Sequence, residues 1–150
     1  MLFRSLFERI CRLREYYLTR AELSLTRAHI AAIARFAGTG GTVIEYGSGE
    51  SVKSRLLLRA MRPSRYVPVD ISEDALQAAA PRLAREFPRL DIVPVMGDFS
   101  RPLTLPVKGR RGNCAVYFPG STIGNLTPEE AQAFLAMTRG QAGQIGRAHV

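Results

Sequence analysis

From residue 42 onward the chain alternates short apolar runs with longer stretches in which apolar residues recur at helical spacing. Apolar runs of roughly four to eight residues bounded by turn residues are typical of buried strands, and the longer stretches are typical of amphipathic helices. Strands connected through helices run parallel, with the helices packed on the faces of the sheet. The pattern therefore predicts an α/β fold with a parallel, doubly wound sheet of about four strands, at residues 42–46, 66–70, 91–95 and 113–118, with helices at residues 51–61, 72–87 and 127–139.

The same pattern divides the chain into three segments. Residues 1–41 are predicted to form an N-terminal helical segment, because apolar residues recur at helical spacing over 2–14 and Thr19 and Glu22 have the spacing of a capping box that opens a second helix. Gly38 is expected to end that helix. Residues 42–139 contain the predicted strands and form a partial Rossmann-like domain. Residues 140–150 do not continue the alternation, and we expect a non-native or disordered tail there.

Composition and charge argue against nucleic acid and membranes as binding partners. The formal net charge is +8, but the arginines are scattered along predicted helices and only residues 108–111 form a tight basic cluster, so nucleic-acid binding is not favoured. No apolar run approaches the roughly 20 residues that cross a bilayer, so we expect no membrane partner. Cys11 and Cys114 are isolated, without the spacing of a disulfide framework or a metal site, which suits a cytoplasmic protein without a metal. Nothing in the sequence indicates an oligomeric state.

The first predicted strand leads into a tight glycine turn, where Gly47 and Gly49 would let a ligand approach the backbone. Asp70 ends the next strand, and a carboxylate there can accept hydrogen bonds from both hydroxyls of a ribose, each worth roughly 1.5–3 kcal/mol. A dinucleotide motif requires a third glycine at the position of Val52. S-adenosyl-L-methionine has no pyrophosphate and needs only the tight turn, so the turn favours this cofactor. Asp70 by itself could equally be a solvated acid at a strand end.

Further candidate cofactor contacts lie near this turn and after the third strand. The Asp98 carboxylate could accept the adenine amino group, and the Phe99 ring could lie against adenine, although Gly-Asp is also ordinary turn chemistry. Lys53, in the first turn of the next helix, is either a solvated lysine or the cation for the cofactor's carboxylate. Glu45 could help to position the cationic methionine end through water or backbone amides.

The loop after the fourth strand is the candidate substrate site. In open α/β sheets ligands bind beyond the carboxyl ends of the strands. This loop contains Gly120, which lets a ligand approach, and Asn125, whose amide both donates and accepts hydrogen bonds. Asn125 could alternatively cap the following helix, for which Thr127 and Glu130 form a second candidate capping box with Pro128 in the first turn.

With these pieces assembled, the chain resembles the L-histidine Nα-methyltransferase family of ergothioneine biosynthesis. The resemblance rests on the stretches EYYLTRAE (15–22), IEYGSGESVKSRLLL (44–58), YVPVDIS (66–72), PVMGDFSRPL (94–103) and YFPGSTIGNLTPEEAQAFL (117–135). It implies a Rossmann-like class I methyltransferase sheet, of which this chain contains a part. It also implies that S-adenosylmethionine is contacted by Gly47, Lys53, Asp70, Asp98 and Phe99, and L-histidine by Tyr17 and Asn125, with Gly120 lining the pocket.

The implied reaction is three successive methyl transfers to the α-amine of histidine, giving trimethylhistidine (hercynine). Members of the family are longer and have proline and leucine where this chain has Arg14 and Tyr46. We therefore expect a fragment that lacks the later strands. The alternatives are a methyltransferase acting on RNA or protein, and an inert α/β fragment.

Overall fold

The computed structural model describes residues 9–10, 13–48, 52–101, 103–106, 114–120 and 122–141. The helices are α1 (Leu18–Ala37), α2 (Val52–Met61), α3 (Glu73–Glu86) and α4 (Pro128–Gln141), and a 3-10 turn spans Thr122–Asn125. The strands are β1 (Thr42–Tyr46), β2 (Arg65–Asp70), β3 (Asp91–Ile92), β4 (Val95–Met96) and β5 (Cys114–Tyr117). The predicted strands and helices from residue 42 onward are present with ends within two residues of the prediction, except that two short strands, β3 and β4, take the place of the predicted third strand.

The strands form one parallel sheet in the order β3-β2-β1-β5, with β4 also paired to β2. The short strands β3 and β4 continue a single register along β2, from Arg65 opposite Asp91 to Asp70 opposite Met96. Pro94 lies between them and has no N–H to donate to the ladder, so the predicted third strand is divided in two. The prediction of a parallel sheet is confirmed.

β1 is the central strand and is buried along its whole length. Because side chains alternate across a strand, it contributes to a hydrophobic cluster on each face of the sheet. The first cluster joins the sheet to the first three helices and contains Ala34, Val43, Leu57, Leu58, Met61, Tyr66 and Leu83. The second lies beneath α4 and contains Ile44, Tyr46, Val67, Val69 and Phe134.

Two of the predicted helix starts are confirmed. Ser72 caps α3, with its hydroxyl oxygen accepting a hydrogen bond from the Ala75 N–H at 3.3 Å. At α4 the Thr127 N–H donates to the Glu130 carboxylate at 2.8 Å, and the Glu130 N–H donates to the Thr127 hydroxyl at 3.3 Å. This reciprocal pair is the predicted capping box.

The capping box predicted for α1 is wrong. The helix begins at Leu18, and its N-cap residue is Tyr17, which makes no side-chain capping hydrogen bond. Thr19 therefore lies within the first turn, and the Glu22 carboxylate has partners elsewhere in the fold. The predicted end of α1 is confirmed by Gly38, which has φ +88°.

Several predictions fall wholly or mostly outside the described residues. They concern the helix over 2–14, Cys11, Gly49, the basic cluster at 108–111 and most of the tail predicted over 140–150. Residues 140 and 141 belong to α4, so the predicted tail starts two residues too early. Residues 9 and 10 are helical, and the chain bends at residues 13–15. In the part of the chain that the structure describes, no helix combines the length and apolar character required to cross a membrane.

Candidate cofactor and substrate site

The glycine turn after β1 has room for a ligand against the backbone. Gly47 has φ +67°, a conformation that favours glycine, and its N–H donates to the Val69 carbonyl oxygen at 2.8 Å. A Cβ atom placed on Gly47 would meet no heavy atom of the described residues within 4 Å. The predicted close-approach turn is present at Gly47, and the space beside it fits a ligand.

Asp70 emerges beside this turn, because β1 and β2 pair through Tyr46 and Val69 at their carboxyl ends. The half-buried carboxylate accepts a hydrogen bond from the Ser72 N–H at 2.9 Å, which fixes it at the start of α3. The acid therefore lies at a strand tip next to the glycine turn, as the sequence predicts. Its contact with a ribose stays a prediction.

Asp98 lies at the same edge of the sheet, two residues beyond Met96, the residue that pairs with Asp70. Its carboxylate accepts a hydrogen bond from the Ser100 N–H at 2.9 Å. Hydrogen bonds from the Ser100 side chain and backbone, with a smaller contribution from Arg101, lower the pKa of Asp98. Asp98 thus performs the turn role that the sequence left open, and the predicted contact with adenine remains untested.

Phe99 belongs to an aromatic group on the α4 face of the sheet. Its ring lies edge-on to Tyr46, Phe118 and Phe134, with centroid distances of 6.3, 5.2 and 5.9 Å. The ring is half-buried, so part of it is packed against the core. Stacking of Phe99 on adenine stays a prediction.

Lys53 and Gly120 are brought together by a residue that sequence reasoning did not assign to the site. The Lys53 ammonium lies 2.7 Å from Glu22 Oε2, and the Gly120 N–H donates to Glu22 Oε1 at 2.7 Å. Gly120 has φ +91°, and a Cβ atom there would lie 3.8 Å from Lys53 Nζ. The carboxylate of α1 therefore joins the first turn of α2 to the loop after β5.

No local signal could have found this role of Glu22. The residue has the spacing of a capping-box acid relative to Thr19, and its partners are 31 and 98 residues away in sequence. Its contacts depend on the tertiary packing of α1 against α2 and the sheet.

Tyr17 and Asn125 are not joined by any contact that the structure shows. Tyr17 lies at the N-terminus of α1, with 63% of its surface exposed, and Asn125 is exposed at the end of the 3-10 turn. Because Thr127 and Glu130 form the cap of α4, the alternative role of Asn125 as the helix cap is wrong. The predicted histidine contacts of Tyr17 and Asn125 remain predictions.

Glu45 is buried between β1, β2 and α2, with 1% of its surface exposed. Its two carboxyl oxygens accept hydrogen bonds from the Ser54 hydroxyl at 2.8 Å and the Tyr66 hydroxyl at 2.7 Å. Burial raises the pKa of Glu45 to about 7, against the opposing effects of these hydroxyls and of Lys53. The observed partners are hydroxyl groups, whereas the sequence suggested water or backbone amides.

The described residues contain no candidate metal centre. Among the residues placed by the structure, no group of three or more His, Cys, Asp or Glu side chains could hold a metal ion. Cys114 is half-buried, and desolvation raises its pKa to about 11, so the thiol stays protonated at neutral pH.

Comparison with known proteins gives relatives over most of the chain. The histidine N-alpha-methyltransferase of Mycolicibacterium smegmatis is 43% identical over 137 residues, covering 88% of this chain and 41% of the relative. That of Mycobacterium tuberculosis is 44% identical over 141 residues, covering 91% of this chain and 43% of the relative. The chain therefore spans about two fifths of the length of these curated relatives.

A solved structure shows the same fold. The glycopeptide N-methyltransferase MtfA, crystallised with sinefungin, superposes with a TM-score of 0.55 at 21% identity, covering 77% of this chain and 46% of that one. This likeness confirms the Rossmann-like fold of class I methyltransferases. A family model described as histidine-specific methyltransferase, SAM-dependent, matches residues 4–148. The chain therefore belongs to the family of histidine-specific, S-adenosylmethionine-dependent methyltransferases.

Proposed function

We propose that the whole protein transfers methyl groups from S-adenosylmethionine to the α-amine of L-histidine, giving trimethylhistidine on the route to ergothioneine. The observation that carries the proposal is the histidine-specific family match over residues 4–148. The match disfavours the alternatives of an RNA or protein substrate. A cytoplasmic location, predicted from the sequence, is part of the same proposal.

The geometry supports the cofactor half of this proposal. Asp70 ends β2, and Gly47, Lys53 and Asp98 follow the carboxyl ends of β1 and β4. This is the edge where open α/β sheets bind ligands. The open space beside Gly47 fits the close approach of a nucleoside, and the Asp70 carboxylate suits the ribose hydroxyls. Lys53 would neutralise the carboxylate of the amino-acid end, while Phe99 and Gly49 complete the proposed set.

The substrate half is proposed for the loop after β5. Gly120 lines the pocket, and Tyr17 and Asn125 hydrogen-bond the amino-acid end of histidine. The bound cofactor supplies an electrophilic methyl group on a sulfonium, and the chain's residues aim the amine at it. The amine must be neutral to attack, since an ammonium has no lone pair. Placing the reacting atoms about 3–3.5 Å apart in line can contribute about 7–11 kcal/mol, so orientation is proposed as the main catalytic effect.

Replacement of the two proposed histidine contacts tests this assignment. In the whole protein we expect Tyr17→Phe and Asn125→Ala each to lower kcat/KM for histidine by about tenfold or more, because each removes a hydrogen bond to a charged group. The measurement is steady-state formation of methylated histidine, with products identified by mass spectrometry. Tyr16→Phe and Gln132→Ala are the matched controls and should stay within about twofold of the unmodified protein.

Two outcomes would count against the proposal. An unmodified, folded protein that methylates no histidine would overturn the activity itself. Unchanged kcat/KM in both Tyr17→Phe and Asn125→Ala would leave the activity standing and refute the assignment of the substrate contacts.

A further inference from the structure

Glu22 is the point at which three segments of the fold meet. Oε2 of its carboxylate pairs with Lys53 Nζ at 2.7 Å, and Oε1 accepts the Gly120 N–H at 2.7 Å. The first contact reaches the first turn of α2, and the second reaches the loop between β5 and the 3-10 turn. A single side chain on α1 thus contacts one proposed cofactor residue and one proposed substrate residue.

The charge of Lys53 is already neutralised in this arrangement. The Lys53 and Glu22 side chains are 21% and 29% exposed, so their ion pair is partly shielded from water. A carboxylate that approaches Lys53 would share one ammonium with the Glu22 carboxylate, and two like charges around one cation repel each other. Glu22 therefore competes with any anionic ligand for Lys53.

The second contact fixes the loop that leads to Asn125. Gly120 adopts φ +91°, and its N–H is directed to Glu22 Oε1. Loss of this acceptor would leave the Gly120 N–H without its partner and free the loop to move. Both contacts use one carboxylate, so Lys53 and the Gly120 loop share a single attachment point on α1.

We propose that Glu22 is a positioning residue that links the cofactor site to the amino-acid site, by competing with the cofactor's carboxylate for Lys53 while holding the Gly120 loop. This inference rests on the proposed function, since it takes Lys53 as the cation for that carboxylate. Glu22 touches neither the methyl group nor the amine in this assignment. It acts through Lys53 and Gly120.

The cofactor side is tested by calorimetric titration of the full chain with S-adenosylhomocysteine, which has the carboxylate, and methylthioadenosine, which lacks it. We expect Glu22→Gln to tighten S-adenosylhomocysteine binding by about three- to fivefold, the range of a partly exposed ion pair. Its effect on methylthioadenosine should be negligible. In a Lys53→Met background Glu22→Gln should no longer tighten S-adenosylhomocysteine binding, because the cation for which the two carboxylates compete is absent. Glu129→Gln removes the same charge from an exposed position on α4 and serves as the control.

The substrate side is tested by comparing two variants of Glu22 in the whole protein. Glu22→Gln keeps an oxygen that can accept the Gly120 N–H, whereas Glu22→Ala removes it. We expect Glu22→Ala to raise KM for histidine by about fivefold, with Glu22→Gln within about twofold, because only the alanine variant loses this hydrogen bond. A role confined to stability would lower the melting temperature and could not tighten ligand binding.

The outcomes separate this inference from the proposed function. If the unmodified chain binds S-adenosylhomocysteine and Glu22→Gln leaves that affinity unchanged or weaker, the linking role is overturned and the cofactor assignment stands. Competition for Lys53 is refuted if Glu22→Gln tightens the binding of methylthioadenosine as much as that of S-adenosylhomocysteine. It is also refuted if Glu22→Gln tightens S-adenosylhomocysteine binding as much in the Lys53→Met background as in the unmodified chain. If the folded, unmodified chain binds neither ligand, the cofactor assignment fails and the inference falls with it.

Discussion

Glu45 is a carboxyl group buried in the core, where the hydroxyl groups of Ser54 and Tyr66 donate hydrogen bonds to it. Burial raises its pKa from 4.5 to about 7, so the folded chain keeps this proton over a pH range in which the unfolded chain releases it. Stability from this group is therefore complete below about pH 4.5 and is lost as the pH rises through about 7. The difference between the two pKa values corresponds to about 3 kcal/mol of unfolding free energy.

The pH dependence of stability can be tested with Glu45→Gln, because an amide mimics the protonated carboxyl group without titrating. We expect the free energy of unfolding of the unmodified chain, relative to Glu45→Gln, to fall by up to about 3 kcal/mol between pH 4.5 and pH 8. Urea unfolding of both proteins at several pH values measures this difference. Subtracting one unfolding free energy from the other cancels the contributions of the other titrating groups. A difference that stays constant with pH would show that the pKa of Glu45 is the same in the folded and the unfolded chain, and would contradict the effect of burial.

Single residues also show where sequence reasoning succeeds. Asp98 accepts a hydrogen bond from an N–H two residues away, which is the local turn chemistry that a Gly-Asp pair indicates. Glu22 fits an equally local pattern, yet its partners are remote. A long acidic side chain such as Glu22 can fit a local capping pattern and still reach distant partners. Which contact it makes depends on the donors and cations that the fold places near it.

At the scale of elements, the end of α2 contains a strained backbone position. Arg62 directly follows the helix and has φ +47°, the left-handed conformation that terminates many helices and that glycine adopts without cost. Its N–H still donates to the Leu58 carbonyl oxygen at 2.9 Å. Pro63 then prevents continuation of the helix.

Replacing Arg62 with glycine should relieve this strain. We expect Arg62→Gly to stabilise the chain by about 1 kcal/mol, which corresponds to a rise of about 2–4 °C in Tm for a domain of this size. The control is Arg82→Gly in the interior of α3, which should lower Tm because glycine is a poor helix former. Thermal unfolding followed by circular dichroism measures both variants, and a fall in Tm for both would contradict the assignment of strain at Arg62.

For the whole molecule, stability depends on two clusters separated by the sheet. In the described residues, α4 covers the second cluster, and Phe134 is the buried aromatic residue by which it does so. Its ring lies 5.4 Å from Tyr46 and 4.7 Å from Phe118. Tyr46 also donates a hydrogen bond to Gln141, so α4 is attached to the centre of the sheet along its length.

Truncation of Phe134 should therefore affect the entire domain. We expect Phe134→Ala to cost about 3–5 kcal/mol of unfolding free energy, a large part of the roughly 5–15 kcal/mol of an ordinary domain. Leu135→Ala, at the neighbouring and more exposed position, should cost less than about 1 kcal/mol. Urea unfolding gives both values. Equal costs at the two positions would show that α4 is not held through Phe134.

Sequence reasoning alone predicted the parallel α/β order, the course of β1 and β2, the capping box at Thr127 and the glycine turn at Gly47. These features depend on the spacing of apolar residues and on hydrogen bonds between residues close in the chain. Both can be recognised in a single sequence. The contacts of Glu22 with Lys53 and Gly120, and that of Tyr46 with Gln141, 95 residues away, became apparent only in the folded chain. These contacts join residues far apart in the sequence, and they depend on which segments the packing of the core brings together. A pattern of neighbouring residues contains no information about such contacts.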